Sequence, residues 1–376
     1  MLSFIYQARI IIIHMALACS LALIWGCDQS QIEPVHAPKD ARVRSEIESE
    51  FQAELRSHPP TTTVDMGVDG PIRLSPSPIQ WGLANRFESG IDIGWHARTE
   101  ADNLPPIRIA IIDESFDVQA AGLTHAFNAD DGINLLHPDQ PLWTAHRDGF
   151  HHGNMVASII ANRPTGELAP LGVLGNQPVE LIPIVAAGGG GPAWRTPRAT
   201  PEMILQGLRH ALDAKASIIN ISAGVEISPG KLKSLCSHAI WDQLEEANVL
   251  VVCAAGNTGH DIDQQPVFPA SVDRSNVVAV MGVGPTGDLA IRHDSNTGDY
   301  ELATNWGVKT VDFAAPGEVI EVMARADRPE LVDGTSAAAA FVTAILAIDR
   351  DPGLLAIENL ASRCRKGGLI QLPSAP

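Results

Sequence analysis

A chain of 376 residues with 45% hydrophobic content can bury a sizeable core, as one large domain or two small ones. Its formal net charge of −18, from 44 acidic against 26 basic side chains, argues against a nucleic-acid partner and leaves solubility as the main consequence. Five cysteines occur without any CxxC or paired Cys/His spacing, so a zinc site has little support.

Arg9 is the only formal charge in the first 26 residues, and Ile10 to Gly26 is an apolar run broken by His14. A basic start, an apolar middle and small residues before a break form the pattern of an export signal. The break itself, Ile24-Trp25-Gly26-Cys27-Asp28, resembles a bacterial lipoprotein signal, with Trp25 where a small residue is usual. That resemblance implies that residues 1–26 are removed and that Cys27 is lipidated as the first residue of the mature chain. It also implies that Asp28 keeps the protein at the inner membrane, facing the periplasm. The competing reading is an uncleaved anchor, since the run is at the lower limit of about 17 residues for a spanning helix. Either way the bulk of the chain is exported. Cleavage removes Cys19 and leaves Cys236, Cys253 and Cys364 beside the lipidated residue. Three is an odd number in an oxidising compartment, so at most one bridge forms.

Residues 27–77 are polar and dotted with proline. Lys39 to Arg56 is expected to be helical, because Val43, Ile47, Phe51 and Leu55 recur every four residues on one narrow face. His58-Pro59-Pro60 ends it. The segment reads as a tether; the competing reading is an inhibitory pro-segment, for which about 50 residues is short. The main domain is expected over 78–368, with a tail at 369–376.

Within that domain, apolar β-rich runs alternate with helical segments. Strands are expected at Arg108–Asp113, Leu181–Val185, Ser217–Ser222, Val249–Ala255, Val277–Val283 and Val311–Ala314. Helices are expected at Asn154–Asn162, Pro201–Ala214, Leu232–Glu246 and Ser336–Asp349. Strands apolar on both faces, alternating with helices, imply an α/β fold: a mostly parallel central sheet covered by helices on both faces. Ligands in such sheets gather at the carboxyl ends of the strands, where Asp113, Ser222 and Asn257 fall. Gly188-Gly189-Gly190-Gly191-Pro192 reads as a flexible loop, because the Lys-Ser/Thr of a phosphate loop does not follow it.

Asp333-Gly334-Thr335-Ser336 runs into Ala337-Ala338-Ala339-Ala340, so Ser336 sits at a helix N-terminus with unpaired N–H groups beside it. A serine there is by itself a plain cap. Three upstream stretches change that: Ile109-Ala110-Ile111-Ile112-Asp113, His152-Gly153-Asn154-Met155 and Val251-Val252-Cys253-Ala254-Ala255-Gly256-Asn257. In the order Asp, His, Asn, Ser they resemble the active-site blocks of the subtilisin-like serine peptidases. Leu181-Ile182-Pro183-Ile184, Ile218 to Gly224, Phe268-Pro269-Ala270-Ser271 and Phe313-Ala314-Ala315-Pro316-Gly317 resemble framework blocks of the same family. Trp81 and Trp95 resemble the tryptophans that open its catalytic domain.

The resemblance implies a three-layer subtilisin-like fold and a serine endopeptidase acting on polypeptides. Ser336 would be the nucleophile, His152 the base and Asp113 its orienting carboxylate, while the Asn257 amide and the Ser336 N–H would bind the oxyanion. Ser222, Ala223 and Gly224 would pair with substrate backbone as an added strand. Ala254, Ala255 and Gly256 would wall the pocket for the side chain before the cut, with Val267 making its floor shallow.

Some residues depart from the family pattern. Glu114-Ser115-Phe116 follows Asp113 where the family has Ser or Thr and then Gly; His151 adjoins His152; Ala337 and Ala340 replace the usual Met and Pro. None of these is a reacting group. The chemistry requires no cofactor. Calcium often stabilises this family, and Asn128 to Gly132 and Asp261-Ile262-Asp263 offer oxygen ligands; neither matches a defined loop and solvated acidic turns are the commoner explanation, with structural calcium left open as the alternative. The alternative reading of the whole is an inactive subtilisin-like module that binds peptides or serves as an envelope scaffold.

Overall fold

The computed structural model describes residues 38–57, 80, 82–83, 105–142, 149–164, 169–187, 199–293, 297–325, 328–348 and 368–369. The export signal, Cys27, Cys364 and the glycine run at 188–191 lie outside the described residues. Nearly all described residues belong to one compact unit, Lys39–Pro376.

The central feature is an eight-stranded sheet in the order β14-β11-β8-β6-β4-β1-β3-β2. Its strands are β1 (Ile107–Asp113), β2 (Ile133–Asn134), β3 (Val179–Val185), β4 (Ile218–Ile221), β6 (Leu250–Ala254), β8 (Val277–Val283), β11 (Phe313–Pro316) and β14 (Gly368–Leu369). Every pairing within it is parallel. Alternation of side chains along the strands splits the core in two. Ile109 and Ile111 of β1, Leu181 of β3, Val252 of β6 and Val280 of β8 face one apolar cluster. Their neighbours Ala110 and Ile112, Ile182, Val251 and Ala279 face a second.

Helices α1 (Pro38–Ser57), α2 (His152–Ala161) and α6 (Thr335–Ile348) contribute to the first cluster. Helices α3 (Pro201–Asp213), α4 (Pro229–Cys236) and α5 (Ile240–Glu246) contribute to the second. Two apolar faces, each closed by helices, make three layers, as the strand pattern implies. The α6 segment is buried along its entire length, which suits a helix that is apolar all round.

Two expectations are revised. The single helix expected at Leu232–Glu246 is two helices, with a break at Ser237–Ala239. There the Ile240 N–H turns to His238 Nδ1 at 3.2 Å, and Trp241 Nε1 reaches back to Leu235 O at 2.9 Å. Ser228 caps the first helix earlier than expected, accepting from the Lys231 N–H. The second revision concerns the 27–77 tether. Its helix forms almost where expected, but Ile47 and Phe51 are buried in the core, 1% and 5% exposed. Residues 39–57 therefore belong to the compact unit, which extends upstream of residue 78.

The thiols of Cys236, half-buried, and Cys253, buried, are both free. Among the described residues no helix is long and apolar enough to cross a membrane.

Candidate active site

The strand order brings the sequence-selected residues to one rim of the sheet. β1, β4 and β6 are consecutive neighbours. Asp113 ends β1, Ser222–Gly224 follow β4, and Ala255–Asn257 follow β6. His152 opens α2 and Ser336 is the second residue of α6. These two helices pack against each other on the same face of the sheet.

Asp113 is 1% exposed, and its Oδ1 lies 2.6 Å from His152 Nδ1. The same oxygen accepts the Glu114 N–H at 2.7 Å. An imidazole that donates Nδ1–H to a buried carboxylate leaves Nε2 as its acceptor, the tautomer a general base needs. Burial works against a charged ring here. The charge of Asp113, its hydrogen bond and the charge of Glu114 outweigh it and push His152 up to about 9. Burial in turn holds the Glu114 carboxyl above the usual range, with the His152 charge opposing and that of Asp113 adding.

The neighbouring histidine is held elsewhere. His151 Nδ1 lies 3.2 Å from Ser115 Oγ, and its N–H donates to Ala324 O. The imidazole that meets Asp113 is that of His152. The turn after Asp113 forms without glycine because it is pinned to the start of α2. Gly153 N–H donates to Ser115 O, while Asn154 accepts from the Asp117 N–H and donates to Asp117 O. Gly153 is required for a different reason. A Cβ there would lie 2.3 Å from the buried ring of Phe116, so the glycine makes room for that ring.

Asn257 is oriented by Thr335. The Thr335 N–H and Oγ1–H both donate to Asn257 Oδ1 at 2.8 Å. A backbone N–H can only donate, so the oxygen must face it and the Nδ2 donor points away. Thr335 Oγ1 also accepts the Gly256 N–H at 3.0 Å. Gly334 has φ +133, and a Cβ there would lie 2.8 Å from Asn257 Nδ2, so glycine serves both backbone and clearance. The Ser336 hydroxyl donates to Ser222 O at 3.4 Å, a long bond that places it beside the proposed substrate strand.

Sequence reasoning missed three residues that contact the loops of the site. Thr335 is one. Asn305 is another: it is buried, donates to Ala255 O and accepts N–H groups from Thr258 and His260, so it shapes the loop that carries Asn257. Arg44 of α1 is the third. Asn305 sits in a Thr-Asn-Trp-Gly run that reads as an ordinary turn, and nothing local marks Arg44.

Two of the proposed substrate-binding residues, Gly224 and Gly256, approach Val267. A Cβ on Gly224 would come within 2.8 Å of Val267 Cγ1, and one on Gly256 within 3.9 Å of Cγ2. The valine isopropyl group therefore stands between the proposed substrate-pairing strand and the last residue of the proposed pocket wall, and the strand after β4, β5 (Val225–Glu226), pairs antiparallel with β7 (Val267–Phe268).

One carboxylate in each acidic turn has protein partners. Asp131 is paired with Arg108, and the Asp263 carboxylate accepts N–H groups from Lys309 and Thr310. No group of three metal-ligating side chains occurs among the described residues.

The comparisons with known proteins agree with one another. The family model Peptidase_S8, described as Subtilase family, matches residues 106–352. The "Major intracellular serine protease" of Bacillus subtilis (strain 168) is 28% identical over 289 residues, which is 75% of this chain and 81% of the relative. "Subtilisin-like protease 2" of Arthroderma otae is 25% identical over 299 residues, 75% of this chain but only 59% of that protein. A solved structure of a cold-adapted subtilisin-like serine proteinase is similar with a TM-score of 0.55 at 21% identity, covering 78% of this chain and 98% of that one; at this identity the likeness shows the fold.

Proposed function

The chain belongs to the subtilase family and is a serine-type endopeptidase, and we propose that it cuts polypeptides through Asp113, His152 and Ser336, with Asn257 and the Ser336 N–H as oxyanion donors. The observation that carries this reading is the 2.6 Å contact of His152 with the buried Asp113, His152 opening a helix packed against the one whose first turn holds Ser336.

In this reading the Ser336 hydroxyl leaves its long bond to Ser222 O, loses its proton to His152 Nε2 and attacks the scissile carbonyl carbon. Asp113 stabilises the imidazolium without taking the proton. The negative oxygen is met by Asn257 Nδ2 and by the Ser336 N–H at the positive end of α6. Collapse breaks the C–N bond, His152 gives its proton to the leaving amine, and an acyl ester remains on Ser336. Water, deprotonated by the same imidazole, then releases the acid and restores the hydroxyl. Digestion of a proteome-derived peptide library by the purified chain tests the proposal. New termini with a shared sequence preference are expected; a library recovered intact would leave only a peptide-binding role.

The specificity follows from Val267. Its position between Gly224 and Gly256 supports a shallow pocket and a preference for small side chains such as Ala before the cut. Val267→Gly is expected to raise kcat/KM for substrates with Leu or Phe there by about tenfold or more, in line with the worth of a few methylenes in an apolar pocket. Equal wild-type rates for Ala and Phe substrates would refute this assignment.

The proposal extends to location. The sequence up to Asp28 supports a lipid anchor on Cys27 facing the periplasm. Radiolabelled palmitate fed to producing bacteria should enter the wild-type chain and be lost in Cys27→Ser. Equal labelling of both would remove the anchor from the account.

A further inference from the structure

Arg44 is 6% exposed, although it belongs to a segment whose composition is that of a linker. Its guanidinium grips Asp333 with both arms, Nη1 to Oδ1 at 2.8 Å and Nη2 to Oδ2 at 2.9 Å. Nη1 also donates to Ile291 O at 3.0 Å, and Nε donates to Glu48 at 2.9 Å. The carboxylate of Glu318, fully buried, lies 3.8 Å from Nη1 and accepts the Ile291 N–H at 2.9 Å. Asp333 Oδ1 further accepts the Val319 N–H at 2.8 Å.

The residues that follow Asp333 are Gly334, whose N–H donates to Gly317 O, then Thr335, which orients Asn257, then Ser336. One buried guanidinium thus ties the N-terminal helix to the loop that sets both the serine and the Asn257 amide. We propose that Arg44 is a positioning residue for the Asp333–Ser336 loop, and that α1 is a working part of the enzyme rather than a spacer or a removable pro-segment.

Removing α1 would strip the half-buried Asp333 carboxylate and the buried Glu318 carboxylate of the Arg44 guanidinium beside them, which is unfavourable. Processing compatible with activity must therefore leave residues 38–57 in place. Lysine cannot reproduce the bidentate grip, because it is a point charge on a flexible stem.

The catalytic half of this proposal rests on Ser336 being the nucleophile, so the test has one readout that does not. In the full chain, Arg44→Ala is expected to lower kcat by about tenfold to a hundredfold with KM little changed, the scale of a small misplacement of reacting groups. Arg44→Lys is expected to recover thermal stability but only part of kcat. Independently of activity, hydrogen exchange at the Gly256, Gly334 and Thr335 amides should be at least tenfold faster in Arg44→Ala, with the amides of α2 unchanged. If Arg44→Ala does not fold, the triple variant Arg44→Met, Glu318→Gln, Asp333→Asn removes the buried charges together and should show the same loss of kcat and of loop protection. A folded variant with wild-type exchange in that loop overturns the proposal. An unmodified chain that hydrolyses no peptide, with the loop still loosened by Arg44→Ala, instead sinks the peptidase reading and leaves the clamp standing.

Discussion

Ser336→Ala is expected to lower turnover of a peptide substrate by about 10⁶-fold while leaving the fold and KM almost unchanged; the magnitude is that of subtilisin, whose family this chain shares. The methyl group fits where the hydroxyl stood, since Ser336 is 7% exposed and its one bond, to Ser222 O, is long. Only the proposed nucleophile is lost. Asn257→Ala provides the contrast. It removes the proposed donor to the oxyanion but no reacting atom, so a fall of about 10²–10³ in kcat is expected, again on subtilisin's scale. The Asn257 variant also frees the Thr335 N–H and hydroxyl, which lose their common acceptor, so its melting temperature should drop more than that of Ser336→Ala. Steady-state kinetics and thermal melts on both variants check this. A Ser336→Ala chain retaining even a hundredth of wild-type turnover, free of contaminating protease, would remove Ser336 from the chemistry.

The second large effect is on pH. A base must be neutral to take a proton, and His152 is pushed up to about 9 by Asp113 and Glu114 against the effect of burial. Below that value kcat/KM should fall tenfold per pH unit, a loss of about 500-fold between pH 9 and pH 6. Stability has the opposite sign. A folded pKa raised above the ordinary 6.5 contributes stability that is fully present below 6.5 and is lost as pH rises through about 9. The enzyme therefore gains activity over the range in which the His152–Asp113 ion pair gives up its stabilising charge. Glu114→Gln removes one of the charges that favour the imidazolium, so the rise in activity should move to lower pH. A kcat/KM curve already level at pH 7, in protein shown to be folded throughout, would contradict the assigned environment of His152.

Much of the architecture was legible because it is local and repetitive. Ile107–Asp113 is buried on both sides, so its uninterrupted apolar run could only be an interior strand, and the polar residue that ends it had to lie at the rim. The Asp, His, Asn and Ser blocks were recognisable because each is short and contiguous. What escaped was set by distance. Arg44 meets Asp333 across 289 positions, and the amphipathic stripe of Val43, Ile47 and Phe51 tells that the helix has an apolar face but not what covers it. Asn305 holds the Asn257 loop from about 50 positions away, with no periodicity to flag it. The break between α4 and α5 escaped for the opposite reason: helical periodicity runs across it, and the His238 ring that diverts the Ile240 N–H is a detail of side-chain packing.

The central claim is that Asp113, His152 and Ser336 act on one another within a single cleft. The most direct measurement is the rate and site of covalent labelling by a serine-directed fluorophosphonate, with the modified residue located by mass spectrometry. A single adduct on Ser336 is expected, forming faster as pH rises toward 9 and becoming negligible in His152→Ala. Labelling at another serine, or at Ser336 with a rate that His152→Ala leaves unchanged, would contradict it.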